Sequence, residues 1–598
     1  MRWDLRAADD GAVASLTAVG IPPVLARLLA IRGMVTAEAA DEFLHPALDR
    51  LHSPFLMTGM RAAVSRLLAA IARQEKILIY GDYDVDGTTA IVILKAAIEL
   101  CGGAAEFHVP HRIREGYGMR EDVIERAAAE GVRLIISVDT GIRAMSAAEA
   151  AARLGVDLIV TDHHLPEEGE APRALAVLNP NQSGCEYPCK ALCGAGVAFK
   201  LAQALLTSPD AILTRAVQID ALLKSFLKMV AIATVADAVP LTGENRVIAA
   251  LGLDGLRSPV NAGLKALIEV ATVDVSRRLT SADIAFRLGP RLNAAGRMDV
   301  ARDVVELFST RDAARARELA EKLNQLNGER QQEEARIIEE IEKLLAEPGA
   351  REPYCLVVDG DGWHRGVIGI AATRVVERYG RPALVIARDD TGEAHGSGRS
   401  ISRFHLLEAL ESCRTLFTRF GGHAHAVGFS LPSERIGELR SALDKHARAR
   451  LTPADFEPRV AIDAELPIHA VTPEFYELLR QMEPFGIGNP QPTFAARGAR
   501  LVLPPRVLKE KHLKLRLQQP TAGDRKTHRS FDAVGWRMAE LFHESPLLTG
   551  DTLDIAFRVE KNVSQEFGGG LQLELVDAQR AVAPAAPQIL QIAASAGE

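Results

Sequence analysis

From residue 76 onward, short apolar runs alternate with longer amphipathic stretches. Lys76-Ile-Leu-Ile-Tyr80 is too short for a helix and predicts a buried strand, with residues 88–100 forming the helix after it. Apolar runs at 106–110, 134–138, 158–161 and 174–178 continue the series, with helical patterns around 120–130 and 144–154 between them. Strands separated by helices predict a parallel sheet with helices packed on it, since each parallel connection needs a crossover. In such sheets, ligands bind beyond the carboxyl ends of the strands.

Residues 312–347 are rich in Ala, Glu, Arg and Leu. Apolar positions at Leu319, Leu323, Leu326, Ile337, Ile341 and Leu344 follow helical spacing, and Pro348-Gly349 supplies a stop. This predicts a long connecting helix, with Gly328 a point of disturbance. A second α/β unit follows, with strands near 354–358 and 383–387 around a helix over 366–379, ending near 452. From 459, two-residue alternation returns, as in Thr552-Leu-Asp-Ile-Ala-Phe-Arg-Val559, and five or more short strands suit a small β-barrel. The fold class is therefore α/β followed by a barrel, divided as follows: an N-terminal extension over 1–70, a parallel-sheet domain over 76–310, the connecting helix over 312–347, a second α/β domain over 353–452, the barrel over 459–580 and a loose tail over 581–598. The extension carries no recognisable chemistry. A chain of 598 residues exceeds what one core can organise, at about 150 residues per domain.

Composition narrows the class. The 47% hydrophobic and 25% charged residues match folded globular chains, which excludes extensive disorder. The amino terminus lacks the apolar core of a signal peptide, and no segment offers about 18 uninterrupted apolar residues, so a cytoplasmic protein without a membrane span is expected. Six cysteines exclude a disulfide scaffold; Cys185, Cys189 and Cys193 supply only three thiolates without a paired CxxC, and are read as buried thiols. A net charge of −8 conceals a basic segment, because residues 497–530 hold ten Lys or Arg against only Glu510 and Asp524. Alternation in 506–516 predicts one strand that exposes Lys509 and Lys511 together with Lys514 or Arg516. Phe531, Trp536 and Phe542 are the nearest aromatics.

The candidate chemistry lies at element ends. Asp82, Asp84 and Asp86 fall in Gly81-Asp-Tyr-Asp-Val-Asp-Gly87 after the first strand; Asp139 ends the 134–138 strand; Asp162, His163 and His164 end the 158–161 strand; Asp237 follows an apolar helix. If the strands are parallel neighbours, these groups converge at one edge. Carboxylates gathered away from water repel one another and require cations. Two divalent ions would suffice, and a mixed Asp and His shell favours Mn²⁺, with Mg²⁺ possible. Two such ions activate a water and neutralise an attacked phosphate, which is phosphodiester hydrolysis without a covalent intermediate.

Gly81-Asp-Tyr-Asp-Val-Asp-Gly87, Val138-Asp-Thr-Gly141, Thr161-Asp-His-His164 and Ala236-Asp-Ala-Val-Pro240 resemble, in order and spacing, the four motifs of the DHH phosphoesterase superfamily. Three further segments narrow the resemblance to its single-strand exonuclease branch: 288–297 around Arg291, Asn293 and Arg297; 421–428 with Gly421, Gly422 and His423; and Pro484-Phe-Gly-Ile-Gly-Asn-Pro490. The resemblance implies that Asp84, Asp86, Asp139, His163 and Asp237 ligate the metals, with Asp139 bridging. In the superfamily a histidine is usual four residues before the first metal-binding Asp, where this chain has Tyr80; Asp82 replaces it and is counted with the ligands. It also implies that His164 contacts the scissile phosphate and Asp162 orients its neighbours. Arg291, Asn293 and Arg297 would reach phosphate, Gly421, Gly422 and His423 would bind substrate in a DHHA1-type domain, and Ser397 with Arg399 would form a 5′-end pocket. The barrel would be an oligonucleotide-binding (OB) domain that tracks the strand through Lys509, Lys511 and Lys514. The implied activity is 5′-to-3′ release of mononucleotides from single-stranded DNA by a monomer, in repair and recombination, beside single-strand-binding protein and a RecQ-type helicase. A phosphodiesterase for cyclic dinucleotides or short oligonucleotides is the alternative.

Overall fold

A computed structural model describes the chain except for residues 113, 117, 167–170, 299–300, 520–528, 563–569 and 582–598. The expected loose tail thus falls almost wholly outside the described residues, as do Asp524, Arg525 and Lys526 of the basic segment. Two compact units are present, Ala47–Glu457, and Met1–Pro46 with Pro458–Glu598. Among the described residues, no single helix is long and apolar enough to cross a membrane.

In the larger unit, five parallel strands lie in the order Ala105–His108, Lys76–Tyr80, Val132–Val138, Asp157–Thr161 and Ala176–Leu178. Ile77 and Ile79 enter the core on one face, with the helices Val85–Leu100 and Gly194–Leu206, while Leu78 and Tyr80 enter the core on the other. Burial on both faces explains why the strands read as continuous apolar runs. Each fully buried Ile or Leu stabilises the fold by about 1.5–3 kcal/mol.

The helix Ala313–Ala346 begins at Asp312, whose side chain accepts from the Ala314 N–H at 2.8 Å. It runs unbroken through Gly328, contrary to the disturbance expected there. A Cβ at Gly328 would meet nothing within 4 Å, and bonds such as Arg330 to Glu334 at 2.8 Å lace the neighbouring turns. Leu319 and Leu323 are buried in the first core, whereas Ile337, Ile341 and Leu345 join the core of the second α/β domain. One helix thereby belongs to both. The second sheet has the order Arg419–His423, Ala426–Pro432, Glu393–Arg399, Ala383–Arg388 and Leu356–Asp361, with only the last two parallel.

The smaller unit holds a seven-stranded sheet from Ala464–Glu465 to Arg506–Leu508. Phe494–Leu501 also pairs with His512–Gln518 through two residues, giving a barrel-like sheet that is not closed. Instead of one strand over 506–516, there is a hairpin of Arg506–Leu508 and His512–Gln518. Lys509 and Glu510 take positive φ of 49° and 57° in its turn, so the alternation breaks. The first 46 residues belong to this unit. Arg2–Leu5 pairs with Arg459–Ile462, Leu16, Leu28 and Phe43 share a core with Phe494 and Phe557, and Arg32 Nε donates to Asn489 Oδ1 at 2.8 Å. Asn489, from the 484–490 motif, also donates to the carbonyls of Met482 and Pro484 at 2.9 Å. That motif is a structural clamp.

Candidate metal centre and phosphate pocket

The first aspartate loop is shaped by close backbone packing. Asp84 caps the helix Val85–Leu100, its Oδ1 accepting from the N–H groups of Asp86 at 2.9 Å and Gly87 at 3.1 Å. A Cβ on Gly87 would stand 2.6 Å from the Asp82 backbone, and one on Gly296 would stand 2.2 Å from the Tyr83 carbonyl oxygen. Asp86 is gripped from outside the loop, since its Oδ2 accepts from Gly194 N–H at 2.6 Å and its Oδ1 from Ala195 N–H at 2.7 Å, at the start of another helix. Gly194 is required there, because its Cβ would lie 2.5 Å from Asp139.

Asp139 has a φ of 60°, a left-handed conformation rare outside glycine, and its N–H donates to Thr161 O at 2.9 Å. Asp237 caps the helix Ile219–Ala236. His163 Nε2 lies 3.2 Å from Asp139 Oδ1 and 3.8 Å from both Asp86 Oδ2 and Asp237 Oδ2. Three overlapping groups have potential ligand atoms within 4.8 Å of one another: Asp82, Asp84 and Asp139; Asp86, His163 and Asp237; Asp139, His163 and His164. Asp139 is common to the first and third, His163 to the second and third.

Burial, followed by repulsion from neighbouring carboxylates, pushes the Asp82, Asp139 and Asp237 carboxyls well above the usual range. Burial also raises Asp86, against the opposing effect of His163. Asp82 Oδ1 and Asp139 Oδ1 are buried and accept no hydrogen bond. Burial holds His163 below its ordinary pKa, which favours the neutral, metal-ligating imidazole. Orphaned carboxylate oxygens around a neutral imidazole are a donor set that fits divalent cations.

Asp162 is differently engaged. Its Oδ1 accepts from the N–H groups of His163 at 2.7 Å and His164 at 3.1 Å and lies 2.7 Å from His164 Nδ1, while its Oδ2 accepts from Ile142 N–H at 2.9 Å. Burial would raise its pKa, but these bonds outweigh it and the net shift is downward. Asp162 thus fixes the orientation of His164.

A second pocket collects positive charge. Arg297 is drawn down to about 10 by burial and then by Arg112, Arg330 and Arg399. Its side chain donates to Gly366 O at 3.0 Å, and among the described residues it has no carboxylate ion-pair partner. Arg399, lowered by burial and Arg112, donates to Ser397 Oγ at 3.1 Å and Gly398 O at 2.8 Å. Gly369, in the first turn of the helix Ile368–Tyr379, packs so closely that a Cβ would be 3.1 Å from Ser397 Oγ. Clustered guanidiniums at a helix N-terminus suit an anion.

The remaining expected residues fall in several places. Asn293 braces the aspartate loop, its Oδ1 accepting from Val85 N–H at 3.1 Å. Arg291 turns to the long helix, bonding Asn324 Oδ1 at 2.9 Å. Gly421 leaves open space beside it, Gly422 has a φ of 142° with Ala426 O 2.3 Å from a built Cβ, and His423 is lowered by burial, Arg143, His164 and His163. Lys509 and Lys511 are exposed at the hairpin turn, whereas Lys514 pairs with Asp532 at 3.3 Å. Sequence reasoning missed Arg112 and the Gly194 and Ala195 amides; a helix start in Cys193-Gly-Ala-Gly was the available signal for the latter.

Parallel sheet, aspartate and histidine motifs and second α/β domain together define a DHH-type phosphoesterase. Family models match accordingly: the DHH family N-terminal domain over residues 76–234, the DHHA1 domain over 352–449 and the RecJ OB domain over 462–577. The single-stranded-DNA-specific exonuclease RecJ of Bacillus subtilis is 38% identical over 566 residues, which cover 94% of this chain and 69% of that protein. The crystal structure of Thermus thermophilus RecJ with Mn²⁺ matches with a TM-score of 0.80 at 27% identity, covering 97% of this chain and 80% of that one. Its Mg²⁺ complex matches at 0.75 and 27%, with 97% and 79% covered. The chain belongs to the RecJ family.

Proposed function

We propose that the protein is a single-stranded-DNA-specific 5′-to-3′ exonuclease, a metal-dependent phosphodiester hydrolase that releases 5′-mononucleotides. The observation that carries this reading is the pairing of two complementary groups in one compact unit, buried carboxylates with oxygens that accept no hydrogen bond and buried arginines that donate only to neutral oxygens. Asp82, Asp84, Asp86, Asp139, His163 and Asp237 would hold two divalent ions, Mn²⁺ in preference to Mg²⁺. When bound, the ions supply an activated water and charge neutralisation at the attacked phosphate. His164, oriented by Asp162, donates to the scissile phosphate. Arg297, Arg399 and Ser397 hold a terminal 5′-phosphate, which fixes polarity because only a chain end presents that charge. Gly421, Gly422 and His423 contact the next phosphates, and Arg291 and Asn293 support the pocket.

The OB domain holds the strand by backbone attraction and stacking. Lys509 and Lys511 at the hairpin turn contribute more than Lys514, which Asp532 neutralises. Trp536 is 52% exposed and fixed edge-on against His512 at 4.9 Å, which suits it to stack on a base. The protein acts as a cytoplasmic monomer in repair and recombination, with single-strand-binding protein and a RecQ-type helicase as partners.

The test uses the full chain with Mn²⁺ and single-stranded DNAs labelled at either end. Immediate release of a labelled mononucleotide from the 5′ end alone, absent with blunt duplex and with Asp139→Ala, is expected. Release from the 3′ end, or cleavage of cyclic dinucleotides in preference to long strands, would overturn the proposal.

A further inference from the structure

Asp86, His163 and Asp237 come from distant parts of the chain, yet the segments that carry them are joined to one short stretch of backbone. Asn181 Nδ2 donates to His163 O at 2.8 Å and to Lys190 O at 3.1 Å. The next carbonyl, Ala191 O, accepts from Asn245 Nδ2 at 2.5 Å, and the same nitrogen donates to Pro240 O at 3.1 Å. Pro240 follows Asp237 by three residues, and Ala191 precedes by three the Gly194 amide that grips Asp86. The carbonyls of Lys190 and Ala191 are therefore a hub. One asparagine ties it to His163, another ties it to the turn after Asp237, and the following helix start ties it to Asp86.

The chemistry of the two side chains suits this use. A primary amide nitrogen carries two N–H donors in one plane and can join two carbonyls at once, which no hydroxyl or carboxylate can do. Asn245 is fully buried and Asn181 partly exposed. A displaced carbonyl in this layer would move a ligand by a comparable distance, and ion affinity depends steeply on ligand placement.

We propose that Asn181 and Asn245 are positioning residues that set the separation of Asp86, His163 and Asp237, and so the affinity of the ion that this group holds; the inference rests on the metal reading above. Neither side chain belongs to the carboxylate and imidazole groups that would hold the ion. The effect of losing either is a weaker ion site at an otherwise intact fold.

The experiment measures Mn²⁺ binding to the metal-stripped, DNA-free full chain by calorimetry, for the parent, Asn245→Leu, Asn181→Ala and the core control Ile98→Ala. The two asparagine variants are expected to weaken one class of Mn²⁺ site about 10-fold or more, leaving the other within twofold. The Mn²⁺ concentration for half-maximal turnover should rise in parallel, and saturating Mn²⁺ should recover most of kcat. Ile98→Ala should lower Tm without moving Mn²⁺ affinity. Mn²⁺ affinity within twofold of the parent in both asparagine variants, at a reduced Tm, would make the asparagines merely structural and sink the proposal. If Asn245→Leu fails to fold, Asn181→Ala decides alone. A parent that binds no Mn²⁺ overturns the metal reading and this inference together, whereas Mn²⁺ binding without turnover removes only the nuclease.

Discussion

Two regions of the larger unit bury charge, and they resolve it in opposite ways. Around Glu244, every charge is answered from within. Lys200 Nζ lies 2.5 Å from Glu244 Oε1, which also accepts from His52 N–H at 3.0 Å, while Tyr187 OH donates to Oε2 at 2.7 Å. Lys200 directs its other donors to His52 O at 2.9 Å and Gln203 Oε1 at 3.0 Å. At the aspartate cluster, orphaned oxygens remain on Asp82 and Asp139, and three or more carboxylates face one imidazole. Burial alone therefore does not mark a site. The marker is charge that the chain leaves uncompensated, since such an arrangement costs stability unless a ligand completes it.

Removing a carboxylate from each region should break the comparison most sharply. Asp139→Asn should lower turnover by about 10⁴-fold or more, the scale for losing one member of a cooperating catalytic group. In metal-free protein, the same substitution should stabilise the fold. Burial raises the Asp139 carboxyl in the folded state, so the parent loses this contribution as pH rises above about 4. The Tm advantage of Asp139→Asn in EDTA should therefore grow with pH, and Mn²⁺ should reverse the ranking by raising the parent. A variant that melts lower than the parent at every pH in EDTA would contradict the account of the cluster.

Glu244→Ala should do the opposite, leaving Lys200 buried and unpaired and destabilising the unit by about 3–5 kcal/mol. Urea denaturation would measure it, with Mn²⁺ giving no relief beyond its effect on the parent. The smallest effect belongs to the exposed surface of the other unit. Trp536→Ala should weaken single-stranded DNA binding by about 1–3 kcal/mol, the worth of one stacked base, with no change in Mn²⁺ affinity. Quenching of Trp536 fluorescence by oligonucleotide offers a direct readout, because Trp363 is buried and Trp3 donates to Asp577 at 2.7 Å.

Much of this was legible in the sequence. The strand that opens the parallel-sheet domain was read at Lys76–Tyr80, where it stands, and the long helix was read within a residue of each end. The aspartates and histidines that the structure brings together could be singled out because each falls at the end of a strand or helix, and element ends show in the hydrophobic pattern. Arg399 and Ser397 were singled out by resemblance and by the charge of Arg399; the strand Glu393–Arg399 that carries them was not read. Asn293 was read from a motif and Lys514 from local alternation, and their actual partners, Val85 and Asp532, lie far from them or across the sheet.

What the sequence determined by itself was the order of elements from residue 76, the parallel sheet and the set of candidate groups for metal and phosphate, because periodicity and residue chemistry act over a few positions. Only the tertiary structure decided which carboxylates stay unsatisfied, that Gly194 and Ala195 grip Asp86, that Asn181 and Asn245 tie the backbone at His163 and Pro240 to the carbonyls of Lys190 and Ala191, and that the first 46 residues complete the second unit. Those facts depend on hydrogen bonds and close approaches between segments distant in the chain, and whether a buried polar group is satisfied is a property of its partners, which no local pattern encodes.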